Sequence, residues 1–264
     1  MLSDYEKKIA LGFTWSPPEQ LHIPNLGKDA PLSWGENIPA FAASALRTLE
    51  GIKASDEDAK TIIDRCMGVS SLSTFDIRTV ENFGQACGAL FDMSKTVLPS
   101  KDCKTRNRTY SKNDICMLHA LLSRDEVRNP GRFRRGGVKL EGCAYVPPPA
   151  ESLEGIFANG FVSLDAIENV PERAIATFLF LCRSQFFENG NKRVASLVMT
   201  GTLITNGYGA IKFTEAGFMP RLADFYESGD GTRIFESFNK MGQEQYPDTL
   251  LGGYPDFVPT VYDR

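Results

Sequence analysis

From Glu172 to Ser184 the sequence is apolar nearly all round a helix, with Ala174, Ile175, Ala176, Phe178, Leu179, Phe180 and Leu181 leaving no continuous polar face. Such a helix has to be enclosed by protein, so the fold must be assembled around it. It runs directly into Gln185-Phe186-Phe187-Glu188-Asn189-Gly190-Asn191-Lys192-Arg193, and Val194 to Asn206 reads as a second helix, stopped by Gly207 and Gly209. A buried helix, a tight turn and a following helix therefore form the expected centre.

Most of the remaining chain has helical periodicity. Ile38 to Glu50 predicts a helix closed by Gly51, and Asp56–Met67 and Thr74–Met93 predict two more. Ser111 starts another, with Ile115, Leu118, Leu121 and Leu122 on one stripe and His119 beside it in a structural role. Ser152–Phe157, Glu215–Glu227 and Gly231–Asn239 are shorter helical stretches, Asn169 and Pro171 form a helix start, and Ile211–Phe213 reads as a short extended piece. Pro17, Pro18, Pro24, Pro31 and Pro39 predict an irregular arm over the first forty residues. Lys101–Asn107 is basic and polar, an expected exposed loop. Period-two alternation around Gly142, ending at Val146 before Pro147-Pro148-Pro149, predicts one β-hairpin. The expected class is mostly α, a helical bundle with an attached hairpin.

The net charge of −4 gives no general attraction for nucleic acid, so any phosphate binding must be local. The 6 cysteines form no CxxC pair and the 2 histidines are far apart in sequence, which suggests reduced thiols in a reducing compartment. No segment reaches the ~18 apolar residues of a membrane helix, and the N-terminus has no secretory pattern. A cytoplasmic protein without membrane or nucleic-acid partners is expected, although a secreted effector exported by a signal read through shape escapes this test.

Asn189-Gly190-Asn191-Lys192-Arg193 is turn chemistry entering a helix. Free amides, the helix dipole and two cations attract an anion there, phosphate above all. Alone, the pentapeptide reads more simply as an Asn-capped helix with two solvent-exposed basic residues. Together with the buried helix, the hairpin and Pro171-Glu172-Arg173-Ala174, it resembles the Fic (Fido, or Fic-Doc) family. That family's signature is a His-x-Phe-x-acidic-Gly-Asn-x-Arg loop between two central helices, covered by a β-hairpin flap. Here the signature falls on Gln185, Phe187, Asn189, Gly190, Asn191 and Arg193, and the flap on Gly131-Arg132-Phe133-Arg134 through Val138, Gly142, Tyr145 and Pro147-Pro148. The resemblance spans roughly residues 75–240, leaving 1–74 as an N-terminal arm with helices and 241–264 as a tail.

The resemblance implies transfer of a phosphate-containing group, usually AMP from ATP, to a Ser, Thr or Tyr hydroxyl of a protein target (AMPylation by a nucleotidyltransferase). The family's general-base histidine corresponds to Gln185, whose amide has no useful basicity and is left to position groups. Its acidic magnesium ligand corresponds to Asn189, a neutral oxygen, which puts the Mg in doubt. Its second arginine corresponds to Ser196. The phosphate cradle, Gly190, Asn191, Lys192 and Arg193, is kept, and Glu188 is a substitute base to be weighed. Ser44-Ala45-Leu46-Arg47-Thr48-Leu49-Glu50-Gly51 is similar to the family's inhibitory helix, with Glu50 as the inhibitory carboxylate, while an ordinary Gly-capped helix end explains the same residues. Val138, Leu140, Gly142 and Tyr145 would dock the target by strand addition. Two readings stand side by side: a divergent transferase using ATP or another nucleotide, or a pseudoenzyme that binds nucleotide or peptide. A homo-oligomer is compatible with either.

Overall fold

The computed structural model describes residues 3–95, 110–140 and 142–247. Among these the chain forms ten α-helices: α1 Asp4–Leu11, α2 Ala30–Glu50, α3 Asp56–Arg65, α4 Thr74–Lys95, α5 Lys112–Leu122, α6 Leu153–Asp165, α7 Val170–Ser184, α8 Asn191–Thr205, α9 Phe218–Ser228 and α10 Thr232–Gln245. Local chemistry explains most starts. Ser3, Ser55 and Ser111 each close a capping box onto Glu6, Asp58 and Asp114, and the Asn169 side chain accepts from the Glu172 amide to start α7.

The buried helix lies at the centre as expected. Along α7, Ala174 to Cys182 are at most 3% exposed, and α8 packs along it with α2, α4 and α5 around the pair. One apolar cluster runs from Leu11 to Met241, crossing the divisions drawn at 74 and 240. The Lys101–Asn107 loop and most of the 241–264 tail lie outside the described residues.

The N-terminal forty residues differ from the irregular arm expected. They contain α1, and α2 starts at Ala30 and continues through Pro39. Pro31 sits in the first turn, where its missing N–H is not needed. Pro39 costs a free helix about 3 kcal/mol through the lost backbone bond and the clash of its ring with the preceding turn. Burial of Trp34, Ile38 and Phe41 outweighs it, with the Trp34 and Phe41 rings edge to face at 4.5 Å. The segment between α1 and α2 is pinned to the core: Trp15 Nε1 donates to Glu172 Oε1 at 2.9 Å, and its ring stacks on Phe235.

Gly242 permits another such contact, because a Cβ there would overlap the His22 carbonyl oxygen, a backbone atom held against α10. Gly242→Ala is expected to destabilise by about 1–3 kcal/mol through overpacking, read as a lower midpoint in thermal unfolding.

The hairpin expected over Val138–Val146 does not form a strand pair among the described residues; only isolated bridges occur, Thr14 with Asp230 and Asn25 with Tyr208. Gly142 makes a turn with φ 69°, and the second arm bonds to the body. The Ala144 amide donates to Glu227 Oε1 at 3.2 Å and the Tyr145 hydroxyl to the Arg183 carbonyl at 3.1 Å. Arg134 closes the base of this excursion with bonds to the Gly136 and Pro148 carbonyls. Ile211–Phe213 likewise forms no strand.

Candidate functional site

The turn between α7 and α8 is held by its own side chains. Gln185 ends α7 in the left-handed region with φ 49°, and its side chain is buried. Its Nε2 donates to the Cys182 carbonyl at 2.6 Å, while its Oε1 accepts from Asn191 Nδ2 at 3.0 Å. Asn191 Oδ1 accepts from the Phe187 amide, and Nδ2 also donates to the Phe187 carbonyl, both at 2.9 Å. The residue expected to meet a substrate hydroxyl therefore has both ends of its amide engaged inside the loop.

Phe186 and Phe187 are buried anchors. The Phe187 ring stacks on His119, with centroids 3.8 Å apart and planes 8° from parallel, while Phe186 stacks on Phe133 at 4.8 Å. His119 Nδ1 accepts from the Gly131 amide at 2.9 Å, which leaves the proton on Nε2 to donate to the Asn189 carbonyl at 3.0 Å. Burial, first of all, lowers the His119 pKa to about 4, with the Arg193 charge acting the same way and the Asn189 bond opposing. His119 is thus a neutral strut beneath the turn.

Gly190 adopts φ 72°, and a Cβ there would come within 2.9 Å of Leu122 Cδ1. Only glycine fits both constraints. Helix α8 then begins without a side-chain cap, and among the described residues the amides of Asn191, Lys192 and Arg193 bond no other group. Unbonded amides at the positive end of a long helix favour an anion.

The two cations differ in their surroundings. Lys192 is half-buried at the helix start. Arg193 is 1% exposed and its guanidinium forks onto Glu126: Nη1 donates to Oε1 at 2.6 Å, and Nη2 donates to Oε2. Glu126 also accepts from Asn189 Nδ2 and Thr79 Oγ1, each at 3.3 Å, so it joins the loop to α4. Arg193, expected among the phosphate ligands, is placed as an internal post. Nothing near Glu126 in sequence signals a partner across the fold, and its role becomes visible only in three dimensions.

Glu50 closes the other side. Gly51 caps α2 with φ 72°, and the Glu50 carboxylate lies 3.4 Å from Arg193 Nε and 4.0 Å from Lys192 Nζ. Arg193 Nε makes no hydrogen bond there, so the contact is an ion pair alone. Ser196, at the place of the family's second arginine, is buried and donates to the Arg193 carbonyl at 2.7 Å. The Ser44–Gly51 stretch does reach the loop, onto Lys192 and Arg193.

Asn189, at the place of the family's acidic magnesium ligand, presents a neutral amide whose Oδ1 accepts from the Gly190 amide at 2.8 Å. Of the proposed docking residues, Val138, Leu140 and Tyr145 are partly exposed and Gly142 is exposed. Tyr145 lies under the Arg183 guanidinium, 4.1 Å from the ring centroid, and burial pushes its phenol pKa up.

Residues 109–203, from the start of α5 to near the end of α8, match the Fic/DOC family. The chain carries a Fic domain. No match emerges among curated proteins. Solved structures agree on the fold. A Fic-domain signaling protein from Bacteroides thetaiotaomicron superposes with TM-score 0.62 at 14% identity, over 84% of this chain and 86% of that one. Fic-1 from C. elegans (residues 134–508) gives 0.59 at 18% identity, over 85% and 66%. IbpAFic2 covalently tethered to Cdc42 gives 0.53 at 16% identity, over 87% and 65%. At these identities the likeness establishes the Fic fold around α7 and α8, and the chemistry rests on the residues themselves. No described helix of the Fic-domain protein is long and apolar enough to cross a membrane.

Proposed function

We propose that this Fic-domain protein is a binding module that holds a nucleotide or another phosphate-bearing ligand at the start of α8, receives a protein segment beside the loop, and lacks base-assisted transfer. The observation that carries the reading is the division of the loop. Gln185, at the motif position of the base, has its amide nitrogen held by Cys182 and its oxygen by Asn191, whereas the first amides of α8 and Lys192 remain for a phosphate. In this arrangement Asn191 and Gln185 fix the turn, Arg193 with Glu126 fixes the helix start, and Lys192 supplies the accessible charge. No step is assigned to magnesium. Glu50 competes with phosphate for Lys192, which makes the α2 terminus an internal inhibitor. The tethering of IbpAFic2 to Cdc42 supports a protein as the second partner.

A second reading, transfer of AMP or another phosphate-containing group to a target Ser, Thr or Tyr hydroxyl, is favoured by one feature: Glu188 places an exposed carboxylate inside the loop, next to Asn189. Labelled ATP, CTP, GTP and UTP incubated with the protein and cell extract separate the two. Wild type is expected to label nothing; label on a protein, lost in Glu188→Gln, would establish the transferase instead.

A further inference from the structure

Residues 128–140 hold five basic side chains, Arg128, Arg132, Arg134, Arg135 and Lys139, and no acidic one, in a chain of net charge −4. Arg134 is buried, donating to the Gln185, Gly136 and Pro148 carbonyls. The other four are exposed, and among the described residues none of their side chains has a hydrogen-bond or ion-pair partner. This basic strip is fastened to the loop. The Gly131 amide bonds His119, the Arg134 amide donates to the Phe186 carbonyl at 2.9 Å, and Arg134 Nε donates to the Gln185 carbonyl at 2.6 Å. Phe133 packs among Phe157, Phe186 and Phe187. With Phe133 and Arg134 held inward, Arg132 and Arg135 are left on the outer side, immediately beside the loop.

We infer that this strip is a docking surface for an acidic, extended segment of a partner protein, and that charge selects the segment. The inference rests on the reading that the domain receives a protein beside the loop, and adds the chemistry of what is received. Neighbouring cations repel one another in the free protein, and an acidic chain relieves that repulsion while gaining a steered encounter. Among the described residues no strand ladder runs through the excursion, so main-chain pairing alone does not define the segment accepted. The remainder of the molecule is more acidic than the whole, so a long polyanion reaching beyond a Debye length of about 8 Å meets repulsion. A short acidic peptide stays within the strip.

The test is fluorescence anisotropy with a labelled peptide of about ten residues, rich in Asp and Glu and carrying one Thr, on the full chain. The Arg132→Glu/Arg135→Glu/Lys139→Glu variant, altered only at exposed positions, should bind it at least about tenfold more weakly than wild type, and raising the salt should weaken wild-type binding. Equal affinity for the two proteins would overturn the inference. So would tighter wild-type binding of an equally charged oligonucleotide or of phosphatidylserine vesicles. ATP titrated into the same two proteins keeps the inferences apart. Unchanged ATP binding with no peptide discrimination removes the docking strip alone, and peptide discrimination without ATP binding removes the nucleotide reading alone while supporting the strip.

Discussion

Glu126→Ala is expected to lower the melting temperature by roughly 10 °C, because removing one partner of a buried, bidentate ion pair costs about 3–5 kcal/mol and a chain of this size shifts by about 2–4 °C per kcal/mol. The side chains involved are 2% exposed for Arg193 and 5% for Glu126, so water does not replace the lost partner. Asn189 and Thr79 lose an acceptor in the same substitution. Arg193→Ala should be comparably harmful, leaving the Glu126 carboxylate buried alone. The double variant Glu126→Leu/Arg193→Met should be less destabilised than the sum of its parts, since no unpaired charge remains. Arg233→Ala breaks a pair whose side chains are 69% and 65% exposed and serves as the control, with a shift within noise. If Glu126→Ala melts like the control, the placement of Arg193 as an internal post is wrong.

Acid should weaken the protein through His119. An unfolded chain titrates this imidazole at its ordinary value of 6.5, whereas the folded chain holds it near 4, chiefly by burial. Above pH 6.5 neither state binds the proton and nothing is lost. As the pH falls from 6.5 towards 4 only the unfolded state takes it up, so stability declines by up to about 3 kcal/mol and the loss is complete below pH 4. Denaturant unfolding across this range should show the slope, and His119→Gln should flatten it. An unaltered slope in His119→Gln would assign the acid sensitivity to other groups.

The centre of the fold was legible because α7 has no continuous polar face, a pattern that only enclosure satisfies, and because Asn169, Pro171, Gly51 and Ser111 mark helix ends by local chemistry. Local signals failed where tertiary contacts overrode them. The prolines up to Pro39 predict an irregular arm, yet burial of Trp34 and Phe41 carries α2 from Ala30 through Pro39. Alternation around Gly142 predicts a strand pair, yet the described residues form none there, and the Ala144 amide donates to the Glu227 carboxylate instead. In the site, Gly190 and the α8 start follow from the Asn-Gly-Asn turn, and Glu50 reaches the loop from a helix end recognisable in sequence. Glu126 and the inward turn of the Gln185 amide were not legible, since each depends on a partner brought near only by folding.

Glu50 gives the most direct access to the central claim that α8 is a phosphate site opposed from within. Glu50→Gln removes the carboxylate beside Lys192 and Arg193 but leaves the Gly51 cap and the Arg193–Glu126 pair intact, so the protein should stay folded with a small loss of stability. Isothermal titration of ATP without magnesium into the two proteins should show tighter binding to Glu50→Gln by about twofold to fivefold, the scale of one partly exposed ion pair. No heat from either protein, or equal affinity in both, would contradict the account.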